Sequence, residues 1–158
     1  MKNSSGFQGP WLFDVNVLLA LVERNHINHE VIHNWLRLHH GEAWATCPIT
    51  ENGFLRLMTQ PSYPHAVSMH AAFESLLDLK QQHRIFWSED ISIANAELFH
   101  HKHFTGNKQI TDIYLLALAK KHNARLVTFD HTVAWQAIVG ATADLVENPL
   151  HQPTKTKP

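Results

Sequence analysis

The sequence predicts an α/β fold with three layers, α/β/α, around a central parallel sheet of four to five strands. Two observations predict it. Short apolar runs alternate with longer amphipathic stretches throughout the 158 residues, the order expected where crossover helices join parallel strands. The first such run, Trp11-Leu12-Phe13, is apolar without alternation, as in a strand covered on both faces.

Pro10 to Asp14 reads as the first strand, and VNVLLALVER (15–24) continues it as a helix. From His29 to His40, Val31, Ile32, Trp35, Leu36 and Leu38 recur at helical intervals, with Gly41 as the stop. Ala43 to Cys47 is a second strand ended by Pro48. Thr50 is the expected N-cap of a helix over Glu51 to Thr59, stopped by Gln60-Pro61.

Residues 65–82 predict a long amphipathic helix and 84–87 a third strand. Ile91 to His101 predicts another helix, capped by Ser88 or Asp90. A polar loop, 103–109, precedes the helix that opens at Thr111-Asp112, and Ala124 to Phe129 is a fourth strand running into Asp130. A last short strand is expected over 143–146. No repeat or linker divides the chain. The expected organisation is a loose lead-in over residues 1–10, one domain over 11–148 and a frayed tail over 149–158.

A composition of 44% hydrophobic and 17% charged residues is that of a globular domain, and a net charge of -1 offers no global attraction for nucleic acid. Any such contact must be local. The single cysteine, Cys47, excludes an internal disulfide and a cysteine-based zinc site. With no signal-peptide pattern and no apolar run of membrane length, a cytoplasmic protein is expected, with no membrane contact. The adjacent histidines among the 14 share no spacing and read as exposed polar surface. The tryptophans are scattered through apolar segments and read mostly as core.

The chemistry lies in the acids. Asp14 and Asp130 stand where apolar strands end, and Glu51 and Asp112 where helices begin. In an open parallel sheet, strand C-termini and the following helix N-termini share one edge, the usual place of ligand binding. Asp112 shares its helix side with Leu115, Leu116 and Ala119, and Glu51 with Phe54, Leu55 and Met58. Both carboxylates therefore lie on an inward stripe, where a lone acid is costly. Taken singly, each acid has an ordinary reading: helix N-termini favour negative charge by roughly 0.3–1 kcal/mol, and strand-end acids serve as caps. Four together repel and call for cations or shared protons. Hard oxygen donors suit Mg2+, with Mn2+ as the alternative.

Here the residues carry a resemblance. FDVNVLLAL, TENGFLRL, ITDIYLLALA and ARLVTFD, in this order, resemble PIN-domain proteins, most closely the VapC toxins of type II toxin–antitoxin pairs, over roughly residues 11 to 146. The stretch from Gln109 to Asp130 is the most specific. The resemblance implies a PIN-like fold and a metal-dependent endoribonuclease that leaves a 5′-phosphate. It also implies a homodimer and an antitoxin that blocks the site. On it, Asp14, Glu51, Asp112 and Asp130 are the catalytic acids, and Asp14, Asp112 and Asp130 hold the metal. Glu51 is either a ligand or the base that positions water. Asn16 and Thr111 are expected to support the acids, Thr111 by capping its helix. Lys102 and Lys108, in the histidine-rich approach to Asp112, are candidate RNA contacts, or simply a solvated loop.

Other classes fit less well. No glycine-rich turn follows the first strand, and neither a nucleoside-triphosphate loop nor an acyl-hydrolase elbow is present, so no nucleotide cofactor is expected. A haloacid-dehalogenase-like phosphatase wants an acid where Asn16 stands. The alternatives are a non-catalytic binding or receiver module with an acidic pocket, though a receiver wants a lysine where Asp130-His131 stands, and a DNA-directed nuclease using the same acids.

Overall fold

The computed structural model describes residues 6–82 and 84–151. Its elements run β1 (Trp11–Phe13), α1 (Val15–Val22), α2 (His29–Leu38), β2 (Trp44–Thr46), α3 (Pro48–Thr59), α4 (Met69–Lys80), β3 (Arg84–Phe86), α5 (Ile110–Lys121), β4 (Arg125–Val127) and β5 (Val146–Glu147). Short 3₁₀ turns occupy much of the rest. The strands form one five-stranded sheet in the order β3-β2-β1-β4-β5, and every neighbouring pair is parallel. This is the predicted class.

The strand residues divide between two cores. Trp11, Phe13, Trp44 and Val127 pack with α1, α2, α3 and α4 on one face, while Leu12, Ala45 and Leu126 pack with α5 on the other. Aromatic contacts tie the first face together: Phe13 stacks on Trp44 at 4.4 Å, and Trp11 meets Trp35 edge-on at 4.9 Å. Trp11, Trp35, Trp44 and Trp87 are buried, as expected, and Trp135 is partly so.

The order of the sheet has one reversal. From β1 the chain builds outward through β2 to β3, and then crosses back to place β4 and β5 on β1's other side. The crevice between β1 and β4 is thus the topological switch point, where helices leave the sheet in different directions and strand ends are left open to a ligand.

Two further constraints fix α3 against α1. Pro48 stands at the first helical position, where its missing N–H costs nothing. Gly53 is buried, and a Cβ there would lie 2.7 Å from Val15 Cγ2, so only glycine allows the approach.

Several expectations need correction. The helix predicted over Ile91 to His101 does not form. Ser92 Oγ accepts the Ala94 N–H at 3.2 Å and Asn95 Oδ1 accepts the Glu97 N–H at 2.9 Å, side-chain bonds that replace helical ones. The segment then pairs with 137–139: His100 N–H donates to Ala137 O at 2.8 Å and Val139 N–H to Leu98 O at 3.0 Å. Helix α3 starts at Pro48 with Cys47 as its cap, and Thr50 contributes from inside the first turn by accepting the Cys47 N–H at 3.0 Å. Helix α4 is shorter than 65–82, because Ser68 caps it and the Val67 N–H bonds to Met58 O at 2.8 Å instead. The last strand is shifted to Val146–Glu147, after a 3₁₀ turn at Ala143–Leu145. His39 is buried, with Nδ1 2.8 Å from Trp35 O, so that histidine is not surface. The expected lead-in and tail fall largely on residues 1–5 and 152–158, outside the described residues. Among the described residues, no helix is long and apolar enough to cross a membrane.

Candidate active site

Asp14 closes β1 and caps α1. Its Oδ1 accepts the Val15 N–H at 2.6 Å, and its Oδ2 accepts the Thr128 hydroxyl at 3.0 Å. The residue is 7% exposed. Burial pushes its carboxyl up, the bonds from Thr128 and Val15 pull it back, and the charge of Asp130 adds to the rise.

Thr128 continues β4 and is buried. While donating to Asp14 it accepts the backbone N–H of Asp130 at 3.1 Å. The Asp130 side chain then turns the chain: its Oδ1 accepts both the N–H and the hydroxyl of Thr132, at 2.7 and 2.8 Å. Asp130 is exposed. One hydroxyl thus joins the ends of β1 and β4 across the switch point.

Asp112 lies in the first turn of α5 and is half-buried. Its carboxyl is pushed up to about 7 by burial first, then by the charges of Asp14 and Asp130. A rise of that size outweighs the roughly 0.3–1 kcal/mol by which a helix N-terminus favours negative charge, since one pKa unit is about 1.4 kcal/mol. Asp14, Asp112 and Asp130 therefore share one electrostatic field.

Glu51 stands apart from them. From the first turn of α3 its Oε1 accepts the Thr46 hydroxyl at 2.8 Å and the Lys80 ammonium at 2.7 Å. Its charge is not among those that raise Asp14 or Asp112. Lys80 is also held over the face of Phe86, 4.9 Å from the ring centre. Glu51 has a protein cation, whereas the three aspartates have none: among the described residues the ion pairs are Lys80–Glu51, His65–Glu23 and Lys121–Asp90.

The supporting residues fare differently. Asn16 is exposed on the first turn of α1 and does not bond a site carboxylate. Thr111 does not cap α5; Gln109 occupies that position and Thr111 is exposed inside the first turn. The 3₁₀ turn at Asn107–Gln109 feeds directly into the helix, so Thr111 already has helical backbone. Lys102 and Lys108 are exposed on the turns His101–His103 and Asn107–Gln109 that lead to α5. Thr128 has a role that the sequence alone does not assign, although the motif Thr128-Phe129-Asp130 carries its signal.

As a donor set, three aspartates with no protein counter-ion suit a hard divalent cation. Among the described residues, however, no group of three or more His, Cys, Asp or Glu side chains is gathered closely enough to hold a metal ion on its own. The carboxylates feel one another without closing into a cage, and water would have to complete any coordination shell, as is usual for magnesium.

The PIN domain family matches residues 11–136, and the chain belongs to that family. Within it, the chain is 42% identical to Ribonuclease VapC44 of Mycobacterium tuberculosis over 132 residues, 83% of this chain and 93% of that protein. It is 39% identical to Ribonuclease VapC38 of the same organism over 122 residues, 75% and 84% of the two chains. In structure it resembles VapBC2 from Rickettsia felis, solved bound to a DNA fragment from its promoter, with a TM-score of 0.60 at 15% identity and coverage of 87% and 97%. That likeness concerns the fold.

Proposed function

We propose that this chain is the toxin component of a type II toxin–antitoxin pair, an endoribonuclease dependent on magnesium or manganese, acting in the cytoplasm. The observation that carries the reading is the group at the switch point: Asp14 and Asp130 joined through Thr128, with Asp112 raised by both. The ribonuclease relatives support RNA as the substrate.

In this reading Asp14, Asp112 and Asp130 would hold the ion, Asp130 directly or through water. The bound metal would supply a nucleophilic hydroxide and neutralise charge at the phosphate. Burial of Asp14 and the bond from Thr128 fix the orientation of its carboxylate before substrate arrives. Repulsion among the aspartates makes Asp112 ready to exchange a proton for a cation. Glu51, bonded by Lys80 and Thr46 and apart from the three aspartates, would position the attacking water rather than join the ligands. Lys102 and Lys108 supply local positive charge for the phosphate backbone. Water, rather than the ribose hydroxyl, would attack phosphorus while the P–O3′ bond breaks and the 3′ oxygen leaves with a proton, so that the product carries a 5′-phosphate.

An antitoxin that covers the acidic edge and a homodimer complete the proposal. Met69, Phe73 and Leu77, spaced four apart on α4, are exposed, and so are Ile85 and Phe86 of the edge strand β3, apolar residues available to a second copy.

The test is cleavage of RNA and DNA side by side with Mg2+ or Mn2+, using Asp14→Asn as control. RNA products that ligate through a 5′-phosphate, lost in the variant, are expected. Cleavage that survives Asp14→Asn, or products ending in a 2′,3′-cyclic phosphate, would overturn the mechanism. Cutting of DNA alone would favour the DNA-directed alternative.

A further inference from the structure

His131 directly follows Asp130, and His151 closes the 3₁₀ turn Pro149–His151. Their rings lie 4.8 Å apart, tilted by 36°, and both side chains are exposed. The Asn148 amide faces His131 Nδ1 at 3.5 Å. With that amide as donor, Nδ1 accepts and the ring proton of the exposed His131 sits on Nε2.

The backbone beneath them is anchored at several points. Asp130 Oδ1 holds the Thr132 N–H, and the Thr128 N–H bonds to Glu147 O at 3.0 Å, joining the ends of β4 and β5. Asn148 Oδ1 accepts the Leu150 N–H at 3.0 Å, and Pro149 is buried. Two imidazoles thus stand on firm supports at the same sheet end as the acids.

Other histidines serve the fold: His29, His33, His39 and His101 each set a ring nitrogen against a backbone carbonyl at 2.7–3.0 Å. Among the described residues, the rings of His131 and His151 meet no backbone carbonyl, and the His131 ring bonds only to the Asn148 amide. Flat, unsaturated and exposed, with a donor at the edge, they match what single-stranded RNA requires, because unstacked bases are bound on aromatic or imidazole planes and by their edges.

We propose that His131 and His151 form a ledge for one unpaired nucleobase of the RNA strand whose backbone crosses Asp130. This rests on the ribonuclease reading above and adds to it a site that selects which stretch of strand is presented to the acids. Stacking on a ring pair tolerates any base, so the ledge positions the strand, and the Nε2–H donor adds a preference for bases with an outward acceptor.

The test uses the Asp14→Asn protein, so that RNA is bound without turnover, and a single-stranded RNA that the wild type cleaves. Fluorescence anisotropy is measured at low and at high salt, so that stacking is separated from attraction to phosphate. A set of the same strand with one abasic position moved along it is compared with the intact strand. Loss of the base at one position is expected to weaken binding roughly 5- to 100-fold, the range for a single stacked base. The same abasic strand is expected to cost nothing further in the His131→Ala/His151→Ala protein, while His131→Phe/His151→Phe restores the sensitivity.

Identical abasic profiles for the parent and the alanine protein would overturn the ledge. So would unchanged affinity for the intact strand in the alanine protein. In either case, RNA cleavage by wild type leaves the nuclease reading standing. If the wild type cleaves no RNA, that reading falls and the ledge falls with it.

Discussion

Thr128 and Asp14, 114 positions apart in sequence, share a hydrogen bond of 3.0 Å in which the threonine hydroxyl donates. The same oxygen accepts the Asp130 N–H at 3.1 Å, so a single small side chain sets the spacing between two strand-end carboxylates. Thr128 and Asp14 are both buried.

Thr128→Val removes that hydroxyl while keeping the side chain's shape. RNA cleavage is expected to fall about 10- to 100-fold, the usual effect of losing a group that orients a ligand carboxylate. Stability should drop by about 1–3 kcal/mol, because the buried Asp14 oxygen and the Asp130 N–H lose their partner. Thr128→Ser should recover most of both. Steady-state kinetics with urea midpoints check this, and wild-type activity in the valine variant would remove the hydroxyl's role.

Asp112 makes stability depend on pH. Its carboxyl is raised to about 7 in the folded protein, above its unfolded value, so folding favours the protonated form. The contribution is fully present at low pH and is lost as pH rises through about 7. In chelator, the wild type should lose urea resistance between pH 5 and pH 8, and Asp112→Asn should lose clearly less over the same interval. Parallel pH profiles for the two proteins would show that the carboxyl is not strained by its neighbours.

A divalent cation should act in the opposite direction. Magnesium or manganese competes with the proton for the aspartates, so its effect on melting temperature should be larger at pH 8 than at pH 5.5. At about a hundred times its Kd, a ligand adds roughly 2.7 kcal/mol, or on the order of 5–10 °C for a domain of this size. Differential scanning fluorimetry with each metal reads the shift, which Asp14→Asn should largely abolish. Equal shifts at both pH values in both proteins would point to binding elsewhere.

Gly53→Ala tests the contact between α3 and α1. The new methyl would meet Val15 Cγ2 at 2.7 Å, and overpacking of this kind costs about 1–3 kcal/mol. Val15→Ala in the same protein should recover part of the loss. A Gly53→Ala protein as stable as wild type, as read by its urea midpoint, would show that the helices separate freely.

Much of this was legible in the chain. Trp11-Leu12-Phe13 announces a strand covered on both sides, and acids at the ends of β1 and β4 announce a common sheet edge. The rest depends on contacts that cross the fold. Nothing near Glu51 in sequence foretells Lys80, which reaches it from α4 across 29 positions. Apolar residues between Ile91 and Phe99 suggest a helix, yet Ser92 and Asn95 bind the backbone first and a long-range pairing with Ile138 completes the competition. Thr111 looked like a cap because the turn before it was invisible to periodicity. Thr128 was visible only as a spacing, since a threonine at a strand end is ordinary until its partner is known.

The central place of β1 has a bearing on biosynthesis. Made before the other strands of the sheet, this strand gains β4 as its second neighbour only after residues 125–127 have been made, and Thr128 and Asp130 come later still. A nascent chain stalled before that point has Asp14 without the groups that would orient it. On the ribonuclease reading proposed above, the messenger being translated is spared at least until residue 130 has been made.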